Sequence, residues 1–574
     1  MVNKENTKQI KKPDEGKKML WPFLLVICLV CISLYYKSTN NQFLDLDDST
    51  IIVKNYPFLK NAGNIPKAFT QGVFQIPGEK DTLASFYRPV MTVSFIIDAK
   101  LSSSYSPNPA PFLRANIFYH MVACILLMLL LLELNLDRIP SLLMTLIFAV
   151  HPLLNQAVAW IPGRNDSLLT IFILLSLLFL LKYRKTKKTS QFSLHIFFFV
   201  LALFTKENAV MFIPLVFILL RFIYKEPASG GNYKKLGIAY LLCILPWIFI
   251  RQHALANNIN NNTISDSLHV FISNLPYFIQ YAGKTLLPFN LSVMSAPADT
   301  NYLLGLVTIG LFVGYFVISK EKNISTVLFG VLWFLFFLAP SFLSGFSGLE
   351  HRAYLPLIGI ILSVSQLGWI QHAGITPMRS KGFAGFIILC AVFIMYLSIS
   401  IERLPIFRNK FAFDKSAMET SQSTLPCLYL AKHYEEAGDS NKMAGYNDIA
   451  AKNYNLAIEA NKEALRRDSM LETIHSNIAG EYIRMNDFQN AEKELTIELS
   501  KHPKNAIGVF DMGLVLFQYE RKDSLAVLMW KKSLTLDSSF AQPYKVLSQY
   551  YQAMGDSSNA ILYRSFYKRK RPKQ

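Results

Sequence analysis

Three stretches of the sequence combine carboxylate, cationic and aromatic side chains beside long apolar runs. The first, NNQFLDLDDSTIIVKNYPFLKN, contains Asp45, Asp47 and Asp48. Neighbouring carboxylates can supply a general base, or they can bind a divalent cation such as Mg²⁺ or Mn²⁺. An Asp-Asp-Ser-Thr run is also a common cap for the N-terminus of a helix, and the residues alone leave both interpretations open.

The second stretch, FAVHPLLNQAVAWIPGRNDSLL, contains His151, Trp160, Arg164 and Asp166. Arg164 and His151 are suited to a lipid phosphate, which arginine can hold with two parallel hydrogen bonds. The alternative is that Arg164 and Asp166 pair with each other, as charges in membrane proteins commonly do.

The third stretch, SGLEHRAYLP, is typical of a phosphate or sugar pocket because it gathers an acid, two bases and a phenol. Its candidates are Glu350, His351, Arg352 and Tyr354. Five residues elsewhere extend the set, namely Tyr87, Arg88, His120, Lys206 and Glu207. The plainer alternatives are an ordinary turn at Lys206 and Glu207, and a histidine hydrogen-bonded within a helix bundle at His120.

Composition predicts that a bilayer surrounds much of the chain. The 574 residues are 52% hydrophobic and only 17% charged, which is too apolar for an ordinary soluble protein. A helix needs about 20 apolar residues to cross the hydrocarbon core, somewhat fewer where flanking groups reach the interface. Candidate spans lie near 19–36, 116–134, 139–157, 167–182, 192–204, 208–224, 236–250, 302–319, 325–343, 353–371 and 383–400. The segment 269–291 is interrupted by Asn274, Pro276, Gly283, Lys284 and Pro288, so it is predicted to be re-entrant or interfacial.

The distribution of lysine and arginine predicts the orientation of these spans. Cytoplasmic loops carry the excess of positive charge. Eleven spans place the basic N-terminus 1–18, the loop KYRKTKKTS, Lys320, Lys322 and Arg379 in the cytoplasm. The three stretches described above then lie on the opposite side, where the first external loop, 37–115, is large. The net charge of +19 is therefore interpreted as a topology signal, and no nucleic-acid partner is expected.

The six cysteines do not indicate a disulfide framework or a zinc site. Five of them lie inside apolar segments (Cys28, Cys31, Cys124, Cys243 and Cys390), and Cys427 stands alone. No spacing between them matches a metal-binding pattern.

From about residue 410 the sequence becomes polar and repeats with a period of about 34 residues, which is typical of the helix pairs of tetratricopeptide repeats. The clearest copy, 472–505, has packing residues at Ile478, Ala479, Tyr482, Phe488, Ala491, Leu495 and Pro503. Further copies begin near 506 and 541, and an irregular first copy with an insertion begins near 424. The predicted domains are thus a membrane domain, 19–405, and an α-solenoid, 410–574. The solenoid would bind a peptide or protein, with a purely stabilising cap as the alternative.

The ordered motifs DDSTIIVKNYP, FYRPVMTVSF, NIFYHMVACILL, HPLLNQAVAWIPGRNDSLL, FTKENAVMFIPLVFIL and EHRAYLPLIG resemble those of the transmembrane and tetratricopeptide-repeat O-mannosyltransferases and their bacterial relatives. The resemblance covers nearly the whole chain. It implies an all-α fold, in which a polytopic C-type glycosyltransferase bundle of about eleven spans precedes the repeat solenoid.

The resemblance also implies roles for individual residues. The catalytic acid of the first external loop corresponds to Asp47, with Asp48 beside it. The cationic and aromatic positions of the family correspond to Arg88, His120, His151, Arg164, Lys206, His351 and Arg352. Where relatives have an acid after the His-Pro pair, this sequence has Gln156, which leaves Asp166 as the better candidate for a second acid and argues against a metal site. The candidate ligands for a divalent cation are Asp47, Asp48 and Asp166.

The activity implied by the resemblance is transfer of mannose from a polyprenyl-phosphate carrier to Ser or Thr hydroxyls of exported proteins. Asp47 would deprotonate the acceptor for an inverting displacement, while Arg164, His351 and Arg352 stabilise the phosphate. The expected setting is a bacterial inner membrane with the repeats in the periplasm, where they bind the acceptor. Alternatives are an acceptor such as lipid A or a surface polysaccharide, or a repeat scaffold or transporter without enzymatic activity. A transporter would place its charges near the bilayer midplane in broken helices.

Overall fold

A computed structural model describes residues 20–44, 46–76, 86–227, 231–255, 264–318, 323–343, 348–371, 373–374 and 381–570. Part of the predicted topology lies outside these ranges, namely the basic N-terminus, Lys320, Lys322 and Arg379. The candidate carboxylate Asp45 also lies outside them. Within them the chain is helical, with one isolated bridge between Ser295 and Gly348 as its only β pairing. The chain forms two compact units, with the boundary between Phe413 and Asp414.

In the described part of the first unit, the helices are α1 Trp21–Tyr35, α2 Tyr56–Leu59, α3 Ile65–Ala68, α4 Pro89–Leu101, α5 Pro109–Glu133, α6 Arg138–Ala149, α7 Asn155–Ala159, α8 Arg164–Thr186, α9 Thr189–Leu203, α10 Phe212–Ile218, α11 Gly231–Ala254, α12 Ile264–Ser273, α13 Pro276–Leu286, α14 Tyr302–Ile318, α15 Ile324–Leu338, α16 Tyr354–Val364, α17 Gly368–Gln371 and α18 Lys381–Arg403. A further helix, α19 Lys410–Thr420, crosses the boundary.

Six helical segments in the described residues are long and apolar enough to cross a bilayer: Trp21–Asn40, Pro109–Glu133, Ile161–Thr186, Gly231–Ala254, Ile324–Leu343 and Gly382–Phe407. α6 and the segment Pro152–Ala159 form a seventh candidate that is bent by 50°. α9 and α14 are apolar but shorter. These features support a membrane bundle, while the count of eleven spans stays a prediction. The segment predicted to be re-entrant consists of two short helices, α12 and α13.

α5 and α8 form the centre of the first unit, where α5 packs on α1, α6 and α8. The side chain of Asn108 caps α5 by accepting from Ala110 N, and Pro109 occupies the first turn. α8 begins after Gly163, where an added Cβ would lie only 2.7 Å from the carbonyl oxygen of Gln156. A glycine is therefore required for α7 and α8 to approach this closely.

The segment between α1 and α5 has a small core of its own. Ile52, Tyr56, Phe95 and Phe112 are buried together in it, and α2 and α3 pack on α4. The backbone N–H of Val90 donates to the carbonyl of Phe204 at 3.1 Å, which joins this segment to the end of α9. The predicted external loop is thus a folded platform for the turn that carries Asp47 and Asp48.

The second unit consists of antiparallel helix pairs, as the repeat pattern predicts. Its helices after α19 are α20 Leu425–Met443, α21 Asn447–Arg467, α22 Ile474–Arg484, α23 Phe488–Lys501, α24 Ala506–Gln518, α25 Asp523–Leu536, α26 Ala541–Ala553 and α27 Ser557–Lys570. The packing residues Ile478, Ala479, Ala491 and Leu495 are all buried. The first pair has helices of 19 and 21 residues, so the extra residues of the irregular first copy extend its helices.

Candidate active site

Asp47 and Asp48 lie at the start of a turn of π-helix, Ser49–Lys54, and have different surroundings. The Asp48 side chain is buried, and its Oδ2 accepts from the backbone N–H of Leu44 at 2.8 Å. Asp47 is half-buried, and the positive charges of Arg88 and Arg352 lie near it. Burial raises the pKa of Asp47, the two cations oppose the rise, and the net value is about 6. This pKa suits a group that exchanges protons near neutral pH.

Arg88 is held in place by two neighbours. Its Nη2 lies 3.0 Å from Glu207 Oε1. With the amide oxygen of Asn165 turned towards it, Arg88 Nη1 donates to that oxygen at 3.0 Å, and the Asn165 amide nitrogen donates to the Thr205 carbonyl at 2.8 Å. Burial raises the pKa of Glu207, but the Arg88 guanidinium outweighs this effect and brings the pKa to about 2. Glu207 is therefore ionised at neutral pH and can pair with the Arg88 guanidinium.

Asp166 joins Lys206 and His351. Its Oδ1 accepts from Lys206 Nζ at 2.7 Å, and its Oδ2 lies 3.9 Å from His351 Nε2. The other side of the His351 ring faces Gln156, whose Oε1 is 3.1 Å from Nδ1, and the ring of Trp160 packs at 5.2 Å between centroids. All five side chains are buried or nearly so. Lys206, Asp166 and His351, which lie far apart in the sequence, thus form one polar cluster.

Arg352 follows His351 in the turn Glu350–Ala353, and its Nη1 donates to the Ser341 carbonyl at 2.8 Å. Its charge acts on Asp47 and on His351. The described structure therefore brings seven of the predicted residues into one charged neighbourhood, namely Asp47, Arg88, Asp166, Lys206, Glu207, His351 and Arg352.

Arg164 is placed differently from the expectation that it holds a phosphate. The side chain is fully buried and donates to the Asp98 carboxylate, to Asn116 Oδ1 at 2.8 Å and to the Phe112 carbonyl at 2.6 Å. It also does not pair with Asp166, the alternative interpretation. Four of its five N–H groups donate within the protein, so Arg164 joins α4, α5 and α8 as an internal residue.

Four other candidates also have partners inside the fold. His120 Nε2 lies 3.0 Å from the Ala149 carbonyl and so carries the hydrogen, while Nδ1 accepts from the Tyr354 hydroxyl at 2.6 Å. His151 Nε2 donates to the Thr285 carbonyl at 3.0 Å. Glu350 pairs with Arg403 at 2.9 Å, and both are buried. These contacts match the plainer interpretation offered for His120 and connect helices rather than facing a ligand.

The carboxylates predicted as cation ligands do not fit a divalent metal. Asp48 Oδ2 and Asp166 Oδ1 already accept from Leu44 N and Lys206 Nζ, whereas Mg²⁺ and Mn²⁺ require about six oxygen ligands. The one group of three His, Cys, Asp or Glu side chains within the described residues whose ligand atoms all lie within 4.8 Å of each other is Cys31, His120 and Cys124. Both nitrogens of His120 are engaged there, as described above.

Sequence reasoning missed several residues that arrange the site. Asp98 is the partner of Arg164, Arg403 that of Glu350, and Asn165 and Gln156 orient Arg88 and His351. Asp98 carried a usable signal, because a carboxylate within the apolar run VMTVSFIIDA needs a partner. Asn165 carried none, and Gln156 was noted only as a departure from the family pattern, since a neutral side chain reveals its hydrogen-bond partner only in three dimensions.

Comparison with known proteins identifies relatives of one kind. A protein O-mannosyl-transferase of Caenorhabditis elegans is 23% identical over 451 residues, covering 74% of this chain and 57% of the relative. Protein O-mannosyl-transferase TMTC4 of Homo sapiens is 29% identical over 206 residues, 32% of this chain and 27% of the relative. TMTC3 of Homo sapiens is 25% identical over 193 residues, 33% of this chain and 20% of the relative. This chain therefore spans about half the length of the first relative and less of the others.

No family model matches the chain. Among solved structures, MamA aligns with 27% of this chain and 88% of its own length at 16% identity, and a monomeric mutant of IFIT1 aligns with 72% of this chain and 95% of its own length at 12% identity. Both have a TM-score of 0.20, which does not show a shared overall fold. The relatives by sequence are thus named protein O-mannosyl-transferases, and this chain is similar to the TMTC-type members among them.

Proposed function

We propose that the protein transfers mannose from a polyprenyl-phosphate carrier to Ser or Thr hydroxyls of exported proteins, with inversion at the anomeric carbon. The observation that carries the proposal is Asp47, a carboxylate with a pKa of about 6 between the charges of Arg88 and Arg352. A base and cations in one neighbourhood are what displacement of a sugar from a phosphate requires. The names of the sequence relatives support the sugar and the protein acceptor.

In the proposed reaction Asp47 takes the proton from the acceptor hydroxyl as its oxygen bonds to the anomeric carbon. The bond from that carbon to the phosphate oxygen breaks, and polyprenyl phosphate leaves with the electron pair. Arg352 and Arg88 stabilise the charge that develops on the phosphate, a role that contributes roughly 3 kcal/mol per donor in comparable sites. Arg164 is left out of this step because it is fully buried and holds Asp98, Asn116 and Phe112 within the protein.

The proposed site faces the periplasm of a bacterial inner membrane, and the repeats bind the acceptor protein. The side of the membrane follows from the lysine and arginine distribution. Stacked helix pairs of this repeat type commonly form a concave surface that binds extended segments, which supports this role for the second unit. Lipid A or a surface polysaccharide is the alternative acceptor, for which the same base and phosphate groups would serve.

The test uses the purified full chain, a polyprenyl-phosphate mannose with a radiolabelled sugar, and periplasmic proteins or lipid A as acceptors. Label on protein, released by mild base from Ser or Thr, supports the proposal. Label on lipid A alone would show that the acceptor is lipid A and not a protein. If the purified chain melts cooperatively, and is therefore folded, but transfers label to no acceptor, the alternative of a membrane-anchored repeat scaffold is favoured.

A further inference from the structure

The Gln156 side chain determines which nitrogen of His351 carries hydrogen. Gln156 Oε1 accepts from the backbone N–H of His351 at 3.1 Å and lies 3.1 Å from Nδ1, while its Nε2 donates to the Val293 carbonyl at 3.1 Å. The carbonyl and the backbone N–H fix the orientation of the amide. Since a carbonyl oxygen only accepts, His351 Nδ1 must be the donor.

The opposite nitrogen of the ring therefore faces Asp166 as an acceptor. In a neutral imidazole with hydrogen on Nδ1, Nε2 has a lone pair, and it lies 3.9 Å from Asp166 Oδ2. Among the described residues that oxygen has no hydrogen-bond partner, because Lys206 binds the other one. Burial and the charges of Lys206, Arg352 and Arg88 hold the pKa of His351 well below its usual value, so no proton joins the two acceptors.

The indole that packs against the His351 ring carries a third polar atom. Trp160 packs against His351 at 5.2 Å between centroids, and its Nε1–H is buried without an acceptor in the described residues. The set thus has two acceptors and one donor. A phosphate oxygen cannot donate to Asp166, and a metal cation would be repelled by Lys206, Arg88 and Arg352. Hydroxyl groups both donate and accept, and so match all three atoms.

We propose that Asp166 Oδ2, His351 Nε2 and Trp160 Nε1 bind adjacent hydroxyl groups of the sugar ring of the donor, and that Gln156 is the residue that positions His351 for this contact. The inference rests on the proposed function and specifies the part of the site that recognises the sugar. Two neighbouring hydroxyls of a pyranose supply the two hydrogens that the acceptors need.

The first experiment measures kcat/KM of the full chain for polyprenyl-phosphate mannose and for donors whose sugar lacks one hydroxyl at a time. A site built around a hydroxyl rejects the analogue that lacks it. Two of these donors, each lacking one of two neighbouring hydroxyls, should therefore have a kcat/KM about 100-fold or more below that of the mannose donor with the wild type. We call the ratio of kcat/KM for the mannose donor to that for a deoxy donor the penalty. In Asp166→Asn, one of the two large penalties should fall below about 10-fold. The matched control is Asp137→Asn, an exposed aspartate, which should keep the wild-type penalties.

A binding measurement covers the case in which Asp166→Asn does not fold. Binding of the intact donor should change the indole fluorescence of the wild type, and Trp160→Phe should lose that change. A wild type that uses every deoxy donor as well as mannose overturns the inference, and so do unchanged penalties in a folded Asp166→Asn.

The second experiment addresses Gln156. Replacing it by glutamate keeps an acceptor for Nδ1 but adds a negative charge beside His351, which raises the pKa of the ring. The protonated ring would then donate to Asp166 and remove both acceptors. Gln156→Glu should therefore raise KM at neutral pH and recover as the pH increases, with kcat changed less than about threefold. An equal loss at all pH values would indicate a structural role and contradict the positioning role.

The outcomes separate the two proposals. If the wild type transfers no sugar from any donor, the proposed function fails and the sugar subsite fails with it. If transfer from mannose is normal while the penalties and the pH profile of the variants match those of the wild type, the inference alone fails.

Discussion

Arg164 on α8 donates to the carboxylate of Asp98 on α4, and the two side chains are 0% and 6% exposed. The same guanidinium also binds Asn116 and the carbonyl of Phe112 on α5. One charged side chain therefore ties the folded external segment to two helices of the bundle. Its place in the protein is an internal one, although the sequence predicted that it faces a lipid phosphate or pairs with Asp166.

Replacement of Asp98 by alanine should destabilise the first unit by about 3–5 kcal/mol, because it leaves the Arg164 charge buried without a partner. The double variant Asp98→Leu, Arg164→Met should recover part of this loss, since it removes both charges. Thermal unfolding in nanodiscs measures the effect, with Asp137→Asn as the control. If Asp98→Ala instead raised KM for the donor without a loss of stability, Arg164 would be expected to bind the donor phosphate.

Transfer activity should fall as the pH drops through about 6. Asp47 acts as a base only when it is deprotonated, and its pKa is about 6. Below this value kcat/KM should fall tenfold per pH unit, and Asp47→Asn should lose about 100-fold or more at neutral pH. In Asp48→Asn, kcat/KM should fall less than about tenfold, because the Asp48 carboxylate accepts from the backbone N–H of Leu44 and is not the proposed base. A larger loss in Asp48→Asn than in Asp47→Asn would exchange their roles.

Arg88→Gln should move the acidic limb of the pH profile to higher pH. The positive charge of Arg88 lowers the pKa of Asp47, so its removal lets burial raise that pKa further. The measurement is kcat/KM from pH 5 to 9, compared with Arg114→Gln, which removes an exposed charge on α5. The control should keep the wild-type limb. An identical limb in Arg88→Gln would show that Asp47 is not the titrating base.

The second unit should lose stability as the pH rises from about 4 to about 8, between the usual pKa of its buried carboxyls and their pKa in the folded protein. Burial raises the pKa of Glu481 to about 8 and that of Asp511 to about 7. A carboxyl whose pKa is higher in the folded state stabilises that state at low pH, and this contribution is lost as the pH passes through the folded pKa. Hydrogen exchange of α22 and α24 in the full chain measures the change. Glu481→Gln should flatten the pH dependence, whereas Glu436→Gln, at an exposed position, should not.

Trp530→Ala should destabilise the second unit by about 3–5 kcal/mol, since it empties a fully buried site. The indole lies against Gly513, where an added Cβ would lie 2.6 Å from the ring. Gly513→Leu should therefore lower the stability of the second unit by a similar amount. Limited proteolysis of the full chain reports both changes. The control is Leu528→Ala on the same helix, 59% exposed, which should remain within about 0.5 kcal/mol of the wild type.

The repeats could be predicted from sequence because their signal is local. Ile478, Ala479, Ala491 and Leu495 recur at helical spacing and are buried at 1% or less. The apolar composition of the membrane helices was equally direct, as in α5 and α8. By contrast, the folding of the first external segment into a platform depends on contacts between distant residues, such as Ile52 with Phe95 and Phe112, and no local pattern indicates it.

The partners of charged residues could not be predicted from linear distance. Arg164 and Asp166 are two residues apart on α8, and such residues point to different sides of a helix. They therefore bind Asp98 and Lys206, which lie on other elements. The grouping of Cys31, Cys124 and His120 was hidden for the same reason, because α1 and α5 pack side by side although they are far apart in the chain.

The hydrogen bond between Gln156 and His351 spans 195 residues of chain. At a synthesis rate of about 5–20 residues per second, roughly 10–40 s pass between the ribosomal addition of the first residue and that of the second. During this interval Gln156 and Asp166 are already in the nascent protein, while the ring that they will contact has not been made. An incomplete chain released from the ribosome before residue 351 would thus lack the imidazole ring of the proposed sugar subsite.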